Sequence, residues 1–245
     1  MKRIFALILA AAMVLAFAAC VNSAPAEFTK KEEAVPPSSS NVQTELSAPA
    51  DNTASDRSQT DDTAQTGQTE GGSNMLVAYF SLAGEQYGVG VIEEGNTSII
   101  AHMIAEQTGA DLFEIEAVTP YPTSHNELLD VSRQERADNA RPEIADTVDN
   151  MADYDTIFIG YPNWWGDMPM IVYNFLEGYD LSGKTIVPFC THGGSGLSNT
   201  ESTIADITGG TMKKGLAIPG TTAQNDRDTA RSKVTQWLRE GDFIA

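Results

Sequence analysis

The chain has 245 residues, enough for one or two domains, and carries 34 acidic against 15 basic side chains for a formal net charge of −19. That balance excludes nucleic-acid binding as a main role, because phosphate contacts are made by Lys and Arg. The two cysteines, Cys20 and Cys190, stand in regions of different composition, so no disulfide within a domain is expected, and His102, His125 and His192 are too scattered from Cys or carboxylate partners to form a metal cluster.

The chain begins MKRIFALILAAAMVLAFAAC. Lys2 and Arg3 form a basic start, 4–17 is apolar, and Ala18-Ala19 is a small-residue cleavage site. The apolar run falls short of the roughly 20 residues that cross a bilayer as a helix, so 1–19 reads as an export signal peptide. Cys20, directly after it, resembles the lipoprotein signal, in which that cysteine is lipidated and becomes the mature N-terminus. Phe17 departs from the preferred Leu, and ordinary secretion with Cys20 removed or free is the alternative. A diacyl anchor contributes about 0.8 kcal/mol per buried CH₂, enough for stable attachment to the outer face of the cytoplasmic membrane. Residues 20–73 are Ser, Thr, Ala, Pro, Gln, Gly and acidic residues with almost no large apolar side chains. Such a stretch cannot offset its conformational entropy by burial and reads as a disordered, low-complexity tether.

The remainder, 74–245, is large enough for one full core. MLVAYFS (75–81) is a short apolar run that predicts a buried strand. After an insertion, NTSIIAHMIAEQTG places Ile99, Ile100, Met103 and Ile104 on one helical face, with Gly109 as the C-terminal glycine. DLFEIEAV (111–118) alternates like a strand. A loop and a polar helix follow, with Leu128, Leu129 and Val131 as the expected buried part. DTIFIGYP predicts a second buried strand, MPMIVYNFLEGYD a short helix ending near Gly178, and KTIVPFCTHGGSG a third strand opening into a glycine loop. Cys190 ends that strand's apolar run and reads as a small buried residue rather than a reactive thiol. LSNTESTIADITGG is a helix and KKGLAIPG a last strand. The closing helix is DRDTARSKVTQWLREG, with Val234, Trp237 and Leu238 inward. Strand and helix alternate throughout, and the strands are continuously apolar, which predicts a parallel sheet covered on both faces.

Ligands of such sheets bind beyond the carboxyl ends of the strands, so the loops there carry the functional signal. After the first strand, Ser81, Gly84, Gly95, Asn96, Thr97 and Ser98 are small residues leading into a helix N-terminus. Hydroxyls, free backbone amides and the helix dipole at such a place suit a terminal phosphate, bound here without a lysine. The same residues also read as an ordinary helix cap. After the next central strand comes GYPNWWGD, holding two of the three tryptophans. Neighbours on a strand face opposite sides, so Trp164 and Trp165 do not both enter the core. A planar aromatic ligand gives them a purpose: one ring lies against it while the other covers the loop. Pro162 and Gly166 fix the bend, and Asn163 and Gly166 supply backbone amides. After the third, Thr191, His192, Gly193 and Gly194 offer bare backbone that lies flat against a ring edge. His192 reaches the same ligand or is simply a surface-loop histidine.

With a phosphate cradle, an aromatic wall and a glycine edge in place, the chain resembles the flavodoxin-like family, in the branch carrying YFS…GNT, GYPNWWG…P…FLE and PFCTHGGSG. The resemblance spans essentially all of 74–245. It implies a three-layer α/β flavodoxin-like fold, with a five-stranded parallel sheet of order 2-1-3-4-5 and helices on both faces. It also implies non-covalent FMN, with Ser81, Asn96 and Thr97 on the phosphate. Pro162, Asn163, Trp164 and Trp165 would flank the isoalloxazine, and Thr191, His192, Gly193 and Gly194 would edge it. Gly84, Ser98 and Gly166 complete the candidate cofactor-binding set; no catalytic residue and no metal ligand stand out. The chain departs from compact flavodoxins in residues 85–94, EQYGVGVIEE, which separate the two halves of the phosphate loop. This insertion is expected to be a lid or a partner surface, with Tyr87 near flavin or substrate.

FMN would carry the redox chemistry and the protein would set access and potential. Acidic surroundings and a lysine-free cradle disfavour an anionic reduced flavin and so lower the potential, by about 59 mV for each 1.4 kcal/mol in a one-electron step. Acidity is equally an ordinary solubility device. The favoured reading is an FMN oxidoreductase that reduces quinones or other small electron acceptors outside the cytoplasmic membrane. An electron shuttle with a redox partner protein only, and a cell-surface binding module that has lost flavin, are the alternatives. No Rossmann G-x-G-x-x-G is present to hold a nicotinamide. Tyr87, His192 and Glu85 are the candidates for proton transfer, and Glu85 is most simply a solvated loop charge.

Overall fold

A strand that is apolar along most of its length must be covered on both sides, and the computed structural model, which describes residues 74–245, places three such segments, 75–79, 156–162 and 185–192, side by side in one sheet. The signal peptide, Cys20 and the tether expected over 20–73 lie outside the described residues. In chain order the elements are β1 (Met75–Tyr79), β2 (Gly84–Gln86), β3 (Gly90–Ile92), α1 (Asn96–Thr108), β4 (Asp111–Glu114) and α2 (His125–Asp138). Then follow a single 3₁₀ turn (Met151–Asp153), β5 (Thr156–Pro162), α3 (Met170–Glu177), β6 (Thr185–His192), α4 (Thr200–Thr208), β7 (Thr211–Met212), β8 (Leu216–Pro219), α5 (Gly220–Asn225) and α6 (Arg227–Glu240).

The main sheet runs β4-β1-β5-β6, with β7 and β8 both paired to β6, and every pairing in it is parallel. This is the 2-1-3-4-5 order, with one difference from five simple strands. The fifth strand is in two pieces: β7 pairs at Thr185 and Ile186, and β8 pairs from Phe189 to His192. Residues 213–215 break the ladder between them. Lys213 N still donates to Ile186 O at 2.9 Å, while Gly215 N turns aside to the Glu201 carboxylate at 2.8 Å.

Successive side chains of a strand face opposite sides, and this divides the core in two. Leu76, Ala78, Ile157 and Ile159 pack with Phe175 and Leu176 of α3 and Ile204 of α4. Val77, Tyr79, Phe158, Val187 and Phe189 pack with Ile100 and Ile104 of α1 and Val234, Trp237 and Leu238 of α6. Gly160, in the middle of buried β5, is explained by the second of these clusters: a Cβ there would lie 2.2 Å from Cζ of Phe189. Cys190 is buried, and that burial pushes its thiol up to about 12, so it is held neutral and inert.

Two elements differ from the sequence reading. The strand expected over 111–118 stops at Glu114: Ile115 N still donates to Tyr79 O at 2.7 Å, and beyond it the chain leaves the sheet for an antiparallel bridge between Ala117 and Ile144. In α2 only Leu128 and Ser132 are buried, while Leu129 and Val131 are half-buried. A serine takes the inward position because Trp165, from another loop, needs an acceptor there: its Nε1 donates to Ser132 Oγ at 3.0 Å.

Candidate functional site

All strands of the main sheet point the same way, so the loops after β1, β5, β6 and β8 emerge on one edge. The chain leaves β1 for β4 on one side and later β5 on the other, which opens the crevice at the switch point between β1 and β5. A cavity of about 560 Å³ lies on this edge.

The first loop builds the start of α1. Gly95 is the N-cap at φ −64°, a conformation open to any residue, yet a Cβ there would sit 2.1 Å from Ser81 Oγ and 2.7 Å from Leu82 O. The chain must be glycine for the two halves of the loop to meet. Ser81 Oγ accepts from Ser98 N at 3.0 Å, capping the third helical amide. The N–H groups of Asn96 and Thr97 meet no acceptor among the described residues, and no acidic side chain stands in the first turn. Asn96 Oδ1 is buried without a donor. Free amides, a helix dipole and an orphaned amide side chain together suit a ligand that brings both acceptors and hydroxyls. The Thr97 hydroxyl is instead buried and paired with Thr191 Oγ1 at 2.9 Å, tying α1 to the end of β6.

In the second loop, Trp164 N donates to Asp167 O at 2.8 Å and Asp167 N to Trp164 O at 2.9 Å, closing a two-residue turn over Trp165 and Gly166. Both central residues have positive φ, +57° and +78°, as such turns require. Glycine adopts this freely; for tryptophan it costs on the order of 1–2 kcal/mol. Contacts offset the strain. Trp165 Nε1 donates to Ser132, the Arg133 guanidinium lies 5.0 Å from the ring centre, and Arg136 donates to Trp165 O at 2.9 Å. Trp165 stays 45% exposed. Trp164 turns the other way and packs edge-on against Phe80 at 5.6 Å and Tyr121 at 5.7 Å between ring centres. Asn163 ties this loop to the third: its Oδ1 accepts from Gly166 N, and its Nδ2 donates to Gly196 O at 2.8 Å.

In the third loop His192 Nδ1 accepts from Gly194 N at 2.9 Å, which leaves the proton of the neutral ring on Nε2. Burial, helped by the charge of Lys233, lowers the His192 pKa. Protonation would put a second N–H against Gly194 N–H and break this bond. A depressed imidazole pKa means the unfolded chain binds more protons than the folded one below the ordinary value of about 6.5. Apoprotein stability to urea is therefore expected to fall as pH drops through that value. His192→Gln, which keeps an acceptor without a titrating ring, should lose that part of the dependence; equal pH profiles for the two proteins would contradict it.

The insertion folds as the antiparallel hairpin of β2 and β3. It is fixed to the start of α2 by Glu85 N donating to Thr123 O at 2.8 Å and His125 N to the Glu85 carboxylate at 3.1 Å. Gly84, at φ +94°, has no room for a Cβ, which would lie 2.7 Å from Thr123 O. The hairpin's Tyr87 rests on the glycine loop: a Cβ on Gly193 would lie 2.8 Å from the Tyr87 ring.

Of the residues singled out from sequence, Asn96, Pro162, Asn163, Trp164, Trp165, Gly166, Thr191, His192, Gly193 and Gly194 line this cavity. Ser81, Gly84, Thr97 and Ser98 do not line it; Ser81, Thr97 and Ser98 instead make the bonds described above, and Gly84 starts the hairpin. Ser195, Ser132, Gly220 and His125 also line it and were not foreseen, nor were Gln86, Leu128 and Leu129. Gly220 had a legible signal, since it directly follows the last strand; a Cβ on it would lie 2.7 Å from Asn96 Nδ2. His125 and the two leucines had none, because only the packing of α2 brings them to the edge.

Comparison with known proteins gives the same picture. The family profile described as Flavodoxin matches residues 74–240. Among solved structures, the chain is 32% identical to a Bacteroides eggerthii protein assigned as a flavoprotein, with TM-score 0.54, covering 69% of this chain and 97% of that one. A Bacteroides uniformis protein assigned likewise is 31% identical with TM-score 0.54, covering 69% and 99%. A Lactobacillus acidophilus flavoprotein solved in complex with FMN is 22% identical with TM-score 0.47, covering 66% and 97%. No curated protein matches the chain.

Proposed function

The chain belongs to the flavodoxin family, and from that premise we propose that it is an FMN-dependent oxidoreductase that reduces small acceptors of the quinone class. FMN is the cofactor of the family, and the residues present fit it. The observation that carries the reading is the crevice itself: a helix start whose first two amides, of Asn96 and Thr97, are unpaired among the described residues at one end, and a tryptophan wall facing a glycine edge at the other.

The N–H groups of Asn96 and Thr97 would hold the phosphate, and Asn96 Oδ1 would accept from a sugar-chain hydroxyl. Trp164 and Trp165 would wall the ring and exclude water from it, with Gly193 and Gly194 along its edge. His192 keeps its proton at Nε2, so it offers a neutral donor on this edge. When bound, FMN supplies one- and two-electron redox chemistry. A phosphate held by amides alone, without lysine, leaves the net negative charge of the chain uncompensated and supports a low potential.

Titration of FMN into the apoprotein, read by tryptophan fluorescence, is the test. Saturable quenching at about one FMN per chain is expected, because two of the three tryptophans line the cavity. Folded protein with no quenching and no flavin absorbance would sink the reading. Reduction of quinones by the reduced holoprotein then separates an oxidoreductase from a shuttle serving only proteins.

Export and tethering rest on the sequence of 1–20. The outer face of the cytoplasmic membrane is the proposed location, and Cys20→Ala is expected to move the protein from the membrane fraction to the soluble fraction. Unchanged fractionation would remove lipidation of Cys20 from the proposal.

A further inference from the structure

No Asp, Glu, Lys or Arg lines the cavity, in a chain with 34 acidic and 15 basic side chains. The flavin's expected contacts come from the loops after β1, β5 and β6. The cavity continues beyond them, onto Gln86 and Tyr87 of the β2–β3 hairpin and His125, Leu128 and Leu129 of α2. This second part is deliberately held. The hairpin is anchored to the start of α2 through Thr123 and His125, and it carries Tyr87 across to Gly193. Tyr87 lies 6.2 Å from the His125 ring, tilted at 35° to it, and remains 71% exposed. A ring that buries so little of its own surface contributes little to the fold, and two exposed aromatic residues, Tyr87 and Trp165, border one neutral cavity.

We propose that Tyr87 and His125 form an acceptor subsite beside the flavin's, built for an uncharged planar ring bearing carbonyl oxygens, the quinone class; the inference rests on the FMN reading above. Tyr87 presents the face of its ring for stacking. Its hydroxyl, the Gln86 amide and the His125 ring are the nearby donors for carbonyl oxygens. With no charged side chain among the lining residues, a charged acceptor would find no directly paired counter-charge, whereas a neutral one avoids the cost of desolvating a charge and needs only donors for its carbonyl oxygens. Bound FMN, once reduced, would supply the two electrons and two protons that turn the quinone's two carbonyl oxygens into hydroxyls, and Tyr87 and His125 would hold and orient that ring beside it.

The test uses oxidised holoprotein, which has no electrons to give, so that binding is read without turnover. 2-Methyl-1,4-naphthoquinone is titrated calorimetrically into the wild-type, Tyr87→Ala and Tyr87→Phe proteins, and FMN affinity is measured separately for each. Removing the stacking ring is expected to weaken naphthoquinone binding about tenfold while leaving the FMN dissociation constant within about twofold. Tyr87→Phe, which keeps the ring, is expected to stay near wild type. Because Tyr87 is exposed at a hairpin tip, both variants are expected to fold, which circular dichroism checks. Wild-type naphthoquinone affinity in Tyr87→Ala overturns the subsite. So does a parallel loss of FMN affinity, which would make Tyr87 a wall of the flavin site instead. A wild-type chain that takes up no FMN overturns the flavin reading, and the subsite falls with it.

Discussion

Gly95→Ala is expected to weaken FMN binding by about 10- to 100-fold, the equivalent of the roughly 1–3 kcal/mol that overpacking a close contact costs. The cost is one of space and not of backbone conformation, since Gly95 already has φ −64°. A Cβ would lie 2.1 Å from Ser81 Oγ, 2.7 Å from Leu82 O and 2.9 Å from Leu82 N. Ser81 could rotate away, but it would then give up the amide of Ser98 at 3.0 Å; the Leu82 backbone has no such freedom. The loop after β1 and the start of α1 must separate, and with them the amides of Asn96 and Thr97 leave the place where a phosphate is held. Fluorescence titration reads the affinity, and circular dichroism checks that the fold persists. An FMN affinity within twofold of wild type would remove Gly95 and the α1 start from the phosphate site.

Phe158→Ala is expected to lower stability by about 3–5 kcal/mol, the usual cost of removing a large buried ring. Phe158 is fully buried in β5, between Val77 and Val187 of the neighbouring strands. It packs edge-on against Trp237 of α6 at 5.8 Å and Phe243 at 4.9 Å between ring centres. The helix cover of this face therefore closes on it, and its loss leaves a cavity that the strands are too constrained to fill. For a domain of this size the thermal midpoint should drop on the order of 10 °C. The measurement is made without added FMN, because a bound cofactor raises the midpoint by mass action. A drop of only a degree or two would mean that α6 and the C-terminal residues repack freely.

The two substitutions act at different depths of legibility. Phe158 could be placed in the core from the continuous apolar run TIFIGY alone, since a run without alternation must be covered on both faces. The alternation of such runs with amphipathic helices likewise carries the parallel sheet and its two cores. That the last strand breaks into β7 and β8 could not be read, because nothing local to KKGLAIPG reveals that Gly215 N would turn to Glu201. The tryptophan turn lies between these cases. Its residues announced a ligand wall, but which ring goes inward depended on Phe80, Tyr121 and Ser132, all from other loops or helices.

What the sequence determined by itself is the set of elements, their order, and the places where strands end in small or aromatic residues, because these follow from hydrophobic period and turn chemistry along the chain. The tertiary structure decided which of those residues share a wall. Ser81, Thr97 and Ser98 took bonds to one another and to Thr191 instead of lining the cavity. Tyr87, His125, Leu128, Leu129 and Gly220 were brought to its surface by packing between segments distant in sequence. Such contacts depend on how the hairpin and α2 settle against the sheet edge, and no local pattern in a single chain encodes that distance.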